Sequence, residues 1–238
     1  MFDILLVGSG ILWTVTYLLI IRSGFPDHTY GMPLVALCAN LSWEFIFSFV
    51  FPHGPVQRPV NIVWFSFDLI ILYQLLRYGP REFPSLPKKV FYGMVALALL
   101  TAFSTVVFIT LEFEDFDGAY SAFGQNLMMS VLFIMMLYSR RSLRGQSLSI
   151  ALTKTGGTTL ASVAFLFYSV GYEESVLLPF LYGSILLFDV LYVAMVFYAR
   201  GLQRSDHAED AEEVVERDRA IHVPRDEEER ARHQPYHR

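Results

Sequence analysis

Seven stretches of this chain, residues 4–21, 32–51, 60–76, 90–111, 119–138, 148–170 and 178–199, are 17 to 23 residues long and almost wholly apolar. A helix needs ~20 residues at 1.5 Å each to cross the hydrocarbon of a bilayer. Inside lipid each backbone N–H and C=O must find its partner within the segment, which a helix provides. The breaks between runs hold turn formers and charge, as in Arg22-Ser23-Gly24-Phe25-Pro26-Asp27, Pro52-His53-Gly54-Pro55 and Gly79-Pro80-Arg81-Glu82-Phe83-Pro84. The pattern predicts an all-α membrane protein, a bundle of seven transmembrane helices. The first run does not read as a signal peptide, since it carries Asp3, no basic leader and no small-x-small cleavage site.

The charges are unevenly spread. Of 18 Lys and Arg, eight lie at or beyond Arg200, and of 23 Asp and Glu, eleven do. Two parts follow: a seven-helix domain over residues 1–200, and a charged tail over 201–238 expected to be disordered and cytoplasmic. Basic residues set the orientation. Arg22, then Arg77, Arg81, Lys88 and Lys89, then Arg140, Arg141 and Arg144, then Arg200 and Arg204 fall on one side, and Arg58 alone on the other. The positive-inside rule therefore puts the N-terminus outside and the C-terminus in the cytoplasm. No basic patch on a soluble fold points to nucleic acid. Cys38 has no partner for an intrachain disulfide and reads as a small buried hydrophobe. Four of six histidines, at 207, 222, 233 and 237, sit in the tail without metal-ligand spacing.

Three carboxylates interrupt the apolar runs near mid-span: Glu44, Asp68 and Asp189. An ionisable group there costs on the order of 3 kcal/mol even on lenient scales, so it should face the interior and serve a purpose. Asn40 and Glu44 are four apart with Trp43 and Phe47 beside them, one wall of an aromatic pocket holding an acid. Asn61, Trp64 and Asp68 share a helix face, as do Tyr182, Asp189 and Tyr192; the fifth run adds Gln125, Asn126 and Ser130. Lys154 is only a few residues into the sixth run and is expected to snorkel to the interface, leaving no cation at depth. Three carboxylates without a cation cannot all be ionised, so at least one should stay protonated, a proton donor in waiting. Aromatic faces nearby would stabilise a cation formed once that proton is delivered. A lone buried Asp or Asn often does no more than bond a neighbouring helix, for about 0.6 kcal/mol, and that plainer reading suits Asn61, Gln125 and Asn126.

Several motifs are absent. No paired aspartate-rich motif is present to hold magnesium and a diphosphate, and there is no Asp-x-Asp-Asp string, HExxH, GxSxG or Walker pattern. Glu112 to Asp117 reads as an exposed loop rather than a metal site. The last run has no lysine for retinal. No metal or cofactor is expected.

The set Asn40-Leu41-Ser42-Trp43-Glu44, Trp64-Phe65-Ser66-Phe67-Asp68, Gln125-Asn126-Leu127-Met128-Met129-Ser130 and Asp189-Val190-Leu191-Tyr192 resembles a known family. It is similar to the small integral-membrane terpene cyclases of fungal meroterpenoid and indole-diterpene pathways (paxilline type) and their actinobacterial relatives of the drimentine type. The resemblance implies a metal-independent, proton-initiated, intramolecular cyclisation of a farnesyl or geranylgeranyl chain already attached to a hydrophobic acceptor. It implies Glu44 and Asp189 as the essential acids. Asn40, Trp43, Trp64, Asp68 and Asn126 match other recurrent positions of the family, while Phe47, Tyr182 and Tyr192 are substrate-lining candidates from their helix faces. From the residues alone, a proton-coupled small-molecule transporter using midplane carboxylates stands as the alternative.

Overall fold

The computed structural model describes residues 1–221, with side chains as far as residue 203. Seven helices follow in order: α1 (Phe2–Gly24), α2 (Leu34–Phe45), α3 (Gln57–Glu82), α4 (Lys88–Glu112), α5 (Ala119–Arg140), α6 (Leu148–Tyr168) and α7 (Leu177–Ile221). No strand occurs among the described residues. Six helices are long and apolar enough to cross a membrane; the second apolar helix, Leu34–Val50, is shorter. Its last turn, Ile46–Val50, is a π turn closed by Phe51 N–H donating to the Ile46 carbonyl at 2.8 Å. Such a turn often accompanies a functional site, because the widened backbone re-aims the side chains around it. Here it begins two residues after Glu44. Side chains of α3 collect the carbonyls it exposes: Arg58 Nε donates to Ser48 O at 2.9 Å and Asn61 Nδ2 to Phe47 O at 3.4 Å.

The surface is inside-out by the standards of a soluble protein. Ile4, Val7, Leu97, Leu100, Phe108 and Leu187 are exposed, while Ser9, Thr16, Glu44, Asp68, Gln74, Lys154 and Asp189 are buried. Lipid, being as apolar as leucine, gives helices no reason to hide such side chains, so close backbone approach and polar contacts between helices drive their association. The α1–α6 seam shows this. Ser9 Oγ donates to the Gly157 carbonyl at 2.7 Å, and Thr16 Oγ1 to Thr153 Oγ1 at 2.8 Å. A Cβ at Gly157 would lie 2.8 Å from Trp13 Cδ1, and one at Gly8 3.0 Å from Leu160. Helix α2 packs against α3, α4 and α5, and its Cys38 is fully buried, as its setting predicts.

The loops meet in two groups. At one end Glu82, at the close of α3, takes Thr29 Oγ1 at 2.8 Å and Arg144 at 2.9 Å, with Arg140 at 3.5 Å. Arg140 also donates to the Tyr30 carbonyl, and Asp27 accepts the Gly145 N–H at 2.7 Å. At the other end Asp115 accepts the Ala119 and Tyr120 N–H groups at the start of α5 and the Tyr172 hydroxyl at 2.5 Å. Residues 112–117 form the exposed loop expected there except at Asp115, which is buried because it is spent on the orphan donors of a helix start. From residue 201 the chain continues as α7 to Ile221 instead of beginning a disordered tail, in keeping with its run of Ala, Glu and Arg. The remainder of that tail, 222–238, with His222, His233 and His237, lies outside the described residues.

Candidate active site

Glu44 is buried near the end of α2, and three helices reach it. Tyr17 of α1 donates its hydroxyl to Glu44 Oε1 at 2.5 Å, and Asn40, one turn earlier in α2, donates Nδ2 to the same oxygen at 3.2 Å. Asn40 Nδ2 also reaches Asp68 Oδ2 of α3 at 3.0 Å and touches the Tyr17 hydroxyl. Asn40 thus bridges the Glu44 and Asp68 carboxyls, whose other oxygens, Oε2 and Oδ1, are buried without a donor. Gln125 of α5 closes the cluster, donating Nε2 to Asn40 Oδ1 at 3.3 Å. Around Tyr17 stand Trp64, stacked at 6.2 Å between centroids, Phe67 at 6.0 Å and Trp13 at 6.3 Å. Trp64 is fixed by donating Nε1 to Thr14 Oγ1 at 3.0 Å.

Asp189 occupies a second cluster. Lys154 Nζ lies 2.6 Å from its Oδ1, and the same nitrogen donates to Ser130 Oγ at 2.8 Å and Asn126 Oδ1 at 3.4 Å. Asn126 Nδ2 in turn donates to Thr158 Oγ1 at 3.0 Å. The side chains of Lys154 and Asp189 are 0% and 1% exposed. This overturns the expectation that Lys154 snorkels and that no cation sits at depth. Its helix is flanked there by Thr153, Thr155, Gly156, Gly157 and Thr158 and is packed on α1, so the side chain has no lipid path to the interface.

Glu44 and Asp189 make no hydrogen bond to each other among the described residues. The two acids stand in two hydrogen-bonded clusters, with Gln125 and Asn126 adjacent on α5 and one belonging to each. Trp13 is shared as well: its ring is 6.3 Å from Tyr17 and 6.0 Å from Lys154 Nζ.

The other predicted residues fall around or away from these centres. Trp43 donates Nε1 to the Gly118 carbonyl at 3.1 Å and packs on Phe47 at 4.8 Å. Gly118 stands at φ 68°, and a Cβ there would meet the Phe47 ring at 2.6 Å, so only glycine lets the α4–α5 loop close on this pair. Asn61 bonds the loop histidine His53 and the Phe47 carbonyl, away from the carboxyl of Asp68, so the expected Asn61–Trp64–Asp68 face serves three different neighbours. Tyr182 packs edge-on to Phe123 at 4.5 Å in a separate apolar cluster. Tyr192 packs on Phe133 and donates to Gln146 Oε1 at 2.9 Å. Tyr182, Asp189 and Tyr192 are all buried, but they reach different surroundings.

His53 lids the Trp43–Phe47 pair, stacked on Phe47 at 4.5 Å. Asn61 Nδ2 donates to its Nδ1 at 3.1 Å, which puts the ring proton on Nε2. Burial holds His53 below its ordinary value of 6.5, against the opposing pull of Asp117 and Asp115. With the folded value lower, the unfolded chain binds more protons, so stability is full above about 6.5 and is lost as pH falls below it. Thermal unfolding in detergent from about pH 8 to about pH 5 should show that loss, and His53→Gln should flatten it.

A bundle of helices long and apolar enough to cross a membrane, with acids buried among aromatic rings, defines a multi-pass integral membrane protein. Residues 1–201 match the family model described as Pyr4-like transmembrane terpene cyclases, and the chain belongs to that family. It is therefore a membrane terpene cyclase, with a terpenyl substrate. It is 31% identical over 202 residues to the Pyr4-family terpene cyclase mfmH of Annulohypoxylon moriforme, covering 82% of this chain and 83% of the relative. It is 29% identical over 209 residues to terpene cyclase macJ of Penicillium terrestre, covering 82% and 81%. To terpene cyclase pyr4 of Aspergillus fumigatus it is 29% identical over 168 residues, 68% of each chain. No solved structure matches.

Proposed function

We propose that this cyclase starts its reaction by protonating the end of a prenyl chain, as terminal epoxide or alkene, carried on a hydrophobic acceptor, with the Glu44–Asp68 pair as acid. The supporting observation is a pair of buried carboxyls bridged by the Asn40 amide, beneath Tyr17 and among Trp13, Trp64 and Phe67. Two buried carboxyls that share one amide donor, with no ion pair to either among the described residues, do not both ionise, so one keeps its proton. Burial alone makes a carboxyl a reluctant donor. Here the carboxylate left behind is met by the Tyr17 hydroxyl and the Asn40 amide, donors already in place before the proton leaves.

The proton passes to the epoxide oxygen, the C–O bond breaks, and alkene π electrons close each ring while the positive charge moves along the chain. The last cation loses a proton, leaving a C=C bond, and the carboxyl pair recovers the proton it gave. Formula is unchanged, and no diphosphate leaves. Indole and aryl faces hold the moving charge and keep water away until the final deprotonation.

The chain is read as seven spans with the basic loops and C-terminus in the cytoplasm, supported by the grouping of the α1–α2, α3–α4 and α5–α6 segments at one end. The relatives are named terpene cyclases, and the substrate proposed for this chain is a farnesyl or geranylgeranyl group on a meroterpenoid-type acceptor. Detergent-purified protein is expected to cyclise such a substrate with EDTA present and no added metal, followed by mass-neutral retention shift and product NMR. Turnover that requires a divalent ion would remove the proton-only scheme.

A further inference from the structure

The carboxyl of Asp189 and that of Glu44 differ in what surrounds them, and the difference assigns their protons. Lys154 Nζ has three acceptors: Asp189 Oδ1, Ser130 Oγ and Asn126 Oδ1. Ser130 gives its own hydroxyl proton to the Asn126 carbonyl, and Asn126 gives its amide protons toward Thr158, so neither supplies a hydrogen to Nζ. An ammonium has three N–H donors, one for each of these contacts, and the 2.6 Å approach to Asp189 Oδ1 is that of an ion pair. Its counter-charge is Asp189, whose Oδ2 is buried with no donor. In the other cluster no cation pairs with Glu44 or Asp68 among the described residues; Glu44 Oε2 and Asp68 Oδ1 are buried without a donor, and one Asn40 amide bridges the two carboxyls.

We propose that the buried acids divide the work: the Glu44–Asp68 pair stores the initiating proton, and Lys154 is a positioning residue that keeps Asp189 a carboxylate. Asp189 then acts as a standing negative charge, its Oδ2 lone pairs uncommitted, and its partner Lys154 Nζ lies 6.0 Å from the Trp13 ring, which packs on Tyr17 of the other cluster. It does not donate the first proton. This rests on the cyclase reading above.

The test is infrared spectroscopy of the purified, lipid-reconstituted protein in the stretch region of protonated carboxyls. Two substitutions keep shape and leave no lone buried charge: Glu44→Gln, and the double change Lys154→Met with Asp189→Asn. Glu44→Gln is expected to remove or shift the band, and the double variant to leave it unchanged while losing product formation. In Lys154→Met alone a second protonated-carboxyl band should appear, absent once Asp189→Asn is added. A band that vanishes in the double variant and survives Glu44→Gln overturns the assignment. If the bands behave as expected but wild type makes no cyclic product from any prenylated acceptor, the charge assignment stands and the cyclase scheme falls.

Discussion

Glu44→Gln should leave a folded protein that makes at least on the order of 10³-fold less product, within the range a positioned general acid contributes. Glutamine keeps the shape of the side chain and an oxygen for the Tyr17 hydroxyl and the Asn40 amide. Its amide brings a donor next to Asp68, whose Oδ1 is buried without one. The structural cost is then one exchanged hydrogen bond, about 1 kcal/mol. What disappears is the transferable proton. Single-turnover product analysis, alongside an unfolding curve in the same detergent, separates these effects. A Glu44→Gln enzyme with near-normal turnover would remove the acid assignment.

Lys154→Met is expected to be the most damaging single change in the bundle. It strands the buried Asp189 carboxylate, and breaking a buried pair from one side costs about 3–5 kcal/mol. Adding Asp189→Asn takes away the stranded charge and should restore most of that stability, since replacing both members of a buried pair is often close to neutral. Chemical or thermal unfolding of the wild type, both single variants and the double variant closes the cycle. A double variant no more stable than Lys154→Met would mean the pair is not coupled as its 2.6 Å contact implies.

The helices were legible because a spanning run is a coarse signal, and Asn40, Glu44 and Asp68 because acids at mid-span stand out against lipid. Their grouping was only half legible. Helical spacing puts Asn40 beside Glu44, but which other helix supplies the partner depends on packing, and sequence paired Glu44 with Asp189 where the fold pairs it with Asp68. Lys154 was misread because depth was counted from the edge of an apolar run. The run of threonines and glycines around it, Thr153 to Thr159, was the available warning: a helix with such a polar centre is packed against protein and offers a long side chain no route outward. Tyr17 and Trp13 were missed because single aromatics in an oily first helix look like any lipid-facing ring.

The glycine-lined join between α1 and α6 has a consequence for how the two proton-handling centres are tuned. One helix of that join carries Trp13 and Tyr17, the other Lys154, and the close backbone approach at Gly157 fixes their register along the membrane normal. A slip of this one joint would disturb both chemistries at once, so acid strength on one side and counter-charge on the other are mechanically geared and have to drift together.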